Sequence, residues 1–412
     1  MAAQRKRRLM ILAATAAALV IGPTIGAQQR PRVRTLTEQE VVDLTVGTAI
    51  QGTRNSNTEQ MVRQAKALLA SGKSYNVVSV DDLPDDWTVV QAAGGIGGGG
   101  AWEYVTDRIK GQNLPTVPNG TVAALEALSK HLGKKFDAVI RNEAAGATLN
   151  AFQVAAAVGL PVVDACPAGR AKPEVQQSLT FVNGILITPA ALVTRWGDTI
   201  FIDKAIDDYR YEDLARAVAV ASGGSVSNAR GVLSGRDIKR STIHGALSEA
   251  VLFGKTVREA AAQGHDPIQA LLAVSHGYKL FQGTVTKAEQ KGERGFNWWD
   301  VELAGTNAYA GHTYRVWVKN ENILSWLDGQ PDVMAPDLLY DLDPKTGQSI
   351  AGSAMGGYPI GQDVVMVGRA ALAPALRSPK GIEVIGPRHF GFDFDYRPIE
   401  DTFKTRHKFA TD

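Results

Sequence analysis

Cysteine is all but missing: Cys166 is the only one in 412 residues. A single thiol excludes an intrachain disulfide framework and a cysteine-rich zinc site. Clustered histidine is missing too. His131, His244, His265, His276, His312, His389 and His407 are scattered without metal-ligand spacing, so any metal centre has to be assembled from distant residues. Past the first few residues the only basic cluster is Arg30, Arg32 and Arg34, with no aromatic interleaving, which argues against nucleic acid as a partner. No apolar run after residue 27 approaches the roughly 20 residues of a membrane span. Internal repeats and long low-complexity linkers are likewise absent.

What remains is an ordinary globular composition, 44% hydrophobic and 21% charged. At about 150 residues per domain, the length suggests two domains. The formal net charge of +2 includes Arg5, Lys6, Arg7 and Arg8, so the rest of the chain is close to neutral. Those four basic residues, the apolar stretch 9–21 and the small-residue site Ile25-Gly26-Ala27 read as a signal peptide over residues 1–27. The expected mature chain starts near Gln28 and is exported, periplasmic or secreted, with no membrane attachment after cleavage. Arg7-Arg8 also admits twin-arginine export. An uncleaved N-terminal anchor is the alternative reading.

Residues 28–205 read as an α/β domain with a partly parallel sheet. Thr37-Glu38-Gln39-Glu40 has capping-box spacing ahead of Val41, Val42 and Leu44. Residues 59–69 continue with helical spacing, and 75–80 and 87–91 read as strands. Residues 138–140, 149–158 and 161–164 give strand, helix and strand, a βαβ unit. Residues 206–412 read as an α+β, β-rich domain. Helices are expected over 211–221, 237–261 and 266–272, then strands at 284–286, 298–303, 315–318, 323–326 and 364–367.

The densest glycine stretch, residues 94–100, contains Gly95-x-Gly97-x-x-Gly100. The helix and distal acidic residue of a dinucleotide fingerprint do not follow it. A loop at which Gly97 and Gly98 let a small ligand approach the backbone fits better, with a plain surface loop as the alternative. Glu143 and Asp164 fall at the carboxyl ends of the βαβ strands, where ligands of open α/β sheets sit. Each is a candidate general base or metal ligand, or a carboxylate favoured by a helix N-terminus. Cys166 is a candidate nucleophile or a small buried hydrophobe. Arg170 is a candidate clamp for a substrate carboxylate or a partner in an ion pair. Glu174 is a candidate substrate contact or a solvated carboxylate. Asn320 to Asn322 suits a hairpin turn, Asp337 a turn, and Arg388 the surface.

Taken in order, these segments resemble the S-methyl thiohydantoin desulfurase family. The resemblance rests on Leu36-Thr37-Glu38 through Gly47-Thr48-Ala49 to Gly52-Thr53, on Asp82 to Asp86, and on Glu143 with Gly146 and Asn150. It continues through Gly159 to Asp164, Gly169-Arg170-Ala171 with Pro173-Glu174, Asn320-Glu321-Asn322, Pro336-Asp337-Leu338 and Gly386-Pro387-Arg388. It implies an α/β domain followed by a β-rich one, and hydrolysis of a methylthio-substituted five-membered ring to a hydantoin with release of methanethiol. Glu143, Asp164 and Arg170 fit the roles that chemistry needs. Together with the residue readings above, Glu143, Asp164 and Cys166 are the expected catalytic residues, and Asn150, Arg170, Glu174, Gly97 and Gly98 the expected substrate contacts. No cofactor is firmly implied, though a divalent metal such as zinc is compatible with the chemistry. The expected partner is a small-molecule substrate, and a homo-oligomer is left open.

Three departures from the family pattern stand out. Arg54, Asn55, Ser56 and Asn57 replace the glycines of a Gly-Thr-Gly-Gly-Gly-Gly loop. Cys166 stands where an acidic residue is usual, and the leader is unusual for the family. The expected activity is hydrolysis of a small cyclic amide or amidine by activated water. An exported binding protein on the same scaffold and a metal-dependent amidohydrolase-like enzyme are the alternatives.

Overall fold

The computed structural model describes residues 31–53, 57–98, 100–350 and 358–408. The expected signal peptide and Arg54, Asn55 and Ser56 of the altered loop lie outside the described residues. Thr37 opens the helix Glu38–Gln51 with a complete capping box. Its hydroxyl accepts from the Glu40 N–H at 3.3 Å, and the Glu40 carboxylate accepts from the Thr37 N–H at 2.8 Å. This helix crosses the helix Ala246–Ala262 at a distance only glycine permits. A Cβ on Gly47 would stand 1.7 Å from the Ala250 carbonyl oxygen, and one on Gly254 would stand 1.9 Å from that of Asp43. The Arg258 guanidinium then clasps both Asp43 oxygens, at 2.8 and 2.9 Å.

Among the described residues the first sheet has nine strands. Its order is Val33–Thr35, Asn76–Val78, Val162–Val163, Ala138–Ile140, Thr88–Gln91, Ser225–Ser234, Ala190–Val193 and Thr199–Ile202, with Gly95–Gly97 also paired to Ser225–Ser234. The run from Asn76–Val78 to Thr88–Gln91 is parallel, with Val77 and Val139 both opposite Val162 and Val90 opposite Val139. The remaining pairings are antiparallel, so the sheet is mixed. The parallel strands read as unbroken apolar runs because both faces are covered. Val139, Val162, Leu44 and Phe152 share one core cluster, with Phe152 supplied by the crossover helix Gly146–Val158.

Ser225–Ser234 follows the expected boundary at residue 205, yet it is a central strand of this first sheet. The expected helix over 237–261 is in fact two, Gly235–Ser241 and Ala246–Ala262. Between them Ile243–His244 pairs with Ala165–Cys166, and Gly245 turns at φ +69. Periodicity alone does not register that break, because the apolar positions on both sides keep helical spacing.

The second sheet is antiparallel and curled. Its order is Gln330–Met334, Glu321–Leu327, Thr313–Lys319, Phe296–Gly305, Tyr278–Glu293, Asp363–Arg369 and Leu338–Leu342. Register shifts at 279/281, 285/287, 317/318 and 324/326 bend its strands. The curl brings distant strands together, so that Asn322 Nδ2 on one strand reaches the Leu339 carbonyl at 3.2 Å and Asp341 at 3.3 Å. Leu280, Val301, Val316 and Val364 form its core. The expected arrangement of an α/β domain followed by a β-rich one is observed.

Candidate functional site

The carboxyl ends of Thr88–Gln91 and Ala138–Ile140 open into a polar chamber of about 70 Å³. Gly95, Ile96 and Gly97 follow the first strand into its wall, and Asn142 and Glu143 follow the second. Lys172, Pro173, Glu174 and Val175 come from the loop after the third parallel strand. Glu212 and Arg216 project from the helix Asp208–Ala221, and Arg230 from Ser225–Ser234. The hairpin turn of the curled sheet, Asn320 and Glu321, closes the far side. Asn320 makes that turn at φ +56, so the expected hairpin is present and also forms a chamber wall.

Arg230 is aimed by its strand. It stands opposite Gln91, and the register slips immediately after it, between Arg230 and Val232, with Gly231 at φ +57. Such a bulge re-aims the adjoining side chain. A Cβ on Gly231 would lie 2.8 Å from Gln91 Nε2, the movable end of a side chain, so it is the turn at φ +57 that favours glycine here. Arg230 is 2% exposed, and its guanidinium carbon lies 6.0 Å from the Tyr211 ring centre.

Glu143 accepts from the Lys172 N–H at 3.0 Å. Burial pushes its carboxyl above the ordinary range, and the charges of Lys172, Arg230 and Arg216 offset only part of that rise. Lys172 moves the other way. Burial and the nearby Arg230 lower its ammonium to about 8, against the pull of Glu143, Glu212 and Asp208. Two of its three donors are engaged, reaching the Glu174 and Val175 carbonyls at 3.1 and 2.8 Å.

Glu174 is not solvated. Desolvation pushes its pKa up, but His389 and Lys319 more than reverse this and hold it at about 2. The carboxylate pairs with Lys319, meets His389 Nε2 at 2.5 Å, and accepts from Gln176 and Gln177 at 2.8 and 3.0 Å. Arg216 is equally committed. It binds Glu212 at 2.7 Å and donates to the carbonyls of Gly97, Gly295 and Pro173 at 2.9, 3.0 and 3.0 Å, stacked over Phe296. Glu174, Glu212 and Arg216 form a shared wall with an outer basin of about 500 Å³. Trp102, Tyr209, Phe296 and His389 give that basin aromatic sides.

Of the residues expected at the site, the structure brings Glu143, Glu174 and Gly97 together. The others do not line the chamber. The Asp164 carboxylate accepts from the Leu247 and Ser248 N–H groups at 2.7 and 3.2 Å and from the Ser248 hydroxyl at 2.5 Å, holding the start of Ala246–Ala262. Cys166 is fully buried against Ala168 and Ala246, and its sulfur accepts from the Gly169 N–H at 3.1 Å. Arg170 is buried and donates to the carbonyls of Ala171, Asp337 and Asn322, which ties the α/β part to the curled sheet. Asn150 accepts from the Gly94 N–H at 2.8 Å and fixes the start of the glycine run.

The glycine density at 94–100 has a backbone cause. Gly95–Gly97 is an edge strand, and a Cβ on Gly98 would stand 2.3 Å from the Gly295 carbonyl oxygen. Gly98 therefore admits the close approach of a neighbouring chain segment. Among the described residues no group of three or more His, Cys, Asp or Glu side chains is placed to hold a metal ion. Glu143, Glu174 and Glu212 are instead taken up by N–H and cationic partners.

Lys172, Glu212, Arg216, Arg230 and His389 were not singled out by the sequence. Lys172 sits in a segment rich in small residues and carries no motif. Arg230 lies in a strand whose buried polar residues, Asn228 and Arg230 itself, break the alternation that marks a strand in sequence.

A mixed α/β sheet, a curled antiparallel sheet and a polar chamber between the strand ends and the hairpin turn define a two-domain protein with an enclosed cleft. The chain belongs to the S-Me-THD-like family, whose N-terminal domain matches residues 39–204 and whose C-terminal domain matches residues 206–399. The fold is similar to the crystal structure of a protein from Chromobacterium violaceum. That likeness covers 89% of this chain and 100% of the other, with a TM-score of 0.71 at 22% identity. No curated protein sequence matches the chain.

Proposed function

We propose that the protein is a hydrolase acting on an S-methyl thiohydantoin or a related hydantoin-like ring. The observation that carries this reading is Glu143, just past the parallel strand Ala138–Ile140, accepting the N–H of the buried Lys172 at 3.0 Å, with the two side-chain pKa values moved toward each other. The family to which the chain belongs supports the reaction class.

Glu143 takes a proton from water as the water oxygen bonds to the ring carbon bearing the methylthio group. The third N–H of Lys172 meets the negative charge growing on the adjacent ring nitrogen. The adduct's hydroxyl proton passes to the ring nitrogen by way of the Lys172 ammonium as the carbonyl forms, the C–S bond breaks, and the departing thiolate takes the proton held by Glu143. Substrate plus water gives hydantoin plus methanethiol. The outer basin, with its aromatic sides, accommodates the ring substituent.

The test is a panel of S-methyl thiohydantoins followed by thiol release. Wild type is expected to turn over at least one, and Glu143→Gln to lose about 10²–10⁴-fold in kcat. Binding without turnover by both forms would make the protein a binding module. We also propose that it works outside the cytoplasm. Recovery of a mature N-terminus near Gln28 from an extracytoplasmic fraction is expected, and a soluble cytoplasmic form retaining Met1 would overturn it.

A further inference from the structure

We propose that Arg230 and Asn142 form a recognition site for the amide edge of a small uncharged heterocycle, Arg230 donating to a ring carbonyl and Asn142 accepting the ring N–H. This rests on the chamber being the substrate site, and it names two residues that the hydrolytic step does not use. Arg230 is 2% and Asn142 4% exposed, and both line the chamber. Among the described residues, Arg230 Nε and Nη1 and Asn142 Oδ1 have no hydrogen-bond partner. Buried donors and acceptors left in that state are costly, by more when the group is charged. Three such atoms on one small cavity therefore point to a ligand that supplies both an acceptor and a donor.

The charge around the chamber selects a neutral ligand over an anion. Four carboxyl groups and three cations line it, and Arg230 is further offset by Asp208, which lies behind it. Arg216 and Glu174 are already committed to other partners. An anion would raise an acidic balance, whereas a cyclic amide adds no charge. The chamber's 70 Å³ is several times the ~10–15 Å³ that one water needs, so it has room for more than a single water. With the amide edge on Arg230 and Asn142, the remainder of the ring is left facing Glu143 and Lys172.

Calorimetric titration of the protein with hydantoin, succinimide, N-methylsuccinimide and acetate tests this without any turnover. Hydantoin and succinimide are expected to bind, N-methylsuccinimide at least tenfold more weakly, and acetate not at all. Arg230→Met and Asn142→Leu are each expected to weaken hydantoin binding at least tenfold, with Arg230→Lys intermediate. Equal affinity for succinimide and its N-methyl derivative, binding of acetate alone, binding of none of the rings, or unchanged affinity in Arg230→Met would overturn the proposal. If Arg230→Met fails to fold, the ligand series on wild type and Asn142→Leu still decide it. Ring binding without thiol release would leave this site intact and sink the hydrolase reading; thiol release with an unchanged KM in Arg230→Met would do the reverse.

Discussion

Burial moves Glu143 and Lys172 toward each other on the pH axis, and the direction of each shift sets a measurable profile. Glu143 works as a base only when ionised, so activity is expected to rise with pH through a value above the ordinary 4.5 of a glutamate. It is expected to fall as Lys172 loses its proton near 8. A kcat/KM profile with only one limb, or a rising limb at or below 4.5, would contradict the assignment. Glu174 titrates in the opposite sense. Its folded pKa of about 2 lies below 4.5, so the stability it contributes is complete above 4.5 and is lost as pH falls toward 2. A shift of that size corresponds to about 3 kcal/mol. Urea unfolding of wild type and Glu174→Gln is expected to differ by that order at pH 7, with the gap narrowing at pH 3. At this scale the sequence could single out Glu143 as a candidate, because it falls just past a parallel strand, where ligands of open α/β sheets sit. It could not separate Glu143 from Asp164. Both end a strand in the same way, and only the placement of Ala246–Ala262 above Asp164 decides which carboxylate becomes a cap.

Two glycine-dependent contacts carry the arrangement of elements. The crossing of Glu38–Gln51 with Ala246–Ala262 leaves no room for a methyl group at Gly47 or Gly254. Gly254→Ala should cost at least about 2 kcal/mol, read as a lowered denaturant midpoint with an unchanged slope. The bulge at Gly231 is the second. Gly231→Ala is expected to impair hydantoin binding more than global stability, because the strain falls on the segment that aims Arg230. Helix starts and apolar strands were legible in advance. The Thr37 capping box follows from spacing alone, and the unit expected at 138–140, 149–158 and 161–164 is found at 138–140, 146–158 and 162–163. Helix crossings are not legible in that way, since Gly47 and Gly254 are 207 residues apart and each is unremarkable in its own window. The strand Ser225–Ser234 was missed for a related reason: its polar Asn228 and Arg230 are buried, which breaks the alternation that marks a half-exposed strand.

At the scale of the whole molecule, the order of the two parts was readable and their entanglement was not. The two family matches meet at residues 204 and 206, yet the chain beyond that point returns to the first sheet with Ser225–Ser234 and to the first helix with Ala246–Ala262. Arg170 crosses in the other direction, its donors spent on carbonyls of the curled sheet. The strand Ser225–Ser234 therefore makes the two halves inseparable as pieces of chain. A fragment ending at 205 lacks the strand that joins Thr88–Gln91 to Ala190–Val193, and is expected to be collapsed or insoluble, without the cooperative melt of the full protein. Co-expressing residues 32–205 with 206–412 should recover soluble material only as a tight complex. A hybrid that joins this chain to a relative at residue 205 would seat a foreign strand in the middle of the native sheet, and with it a foreign residue at position 230. Recombination at that seam would then exchange a wall of the binding chamber along with the second half, so a change of ligand would travel with what looks like a clean exchange of domains.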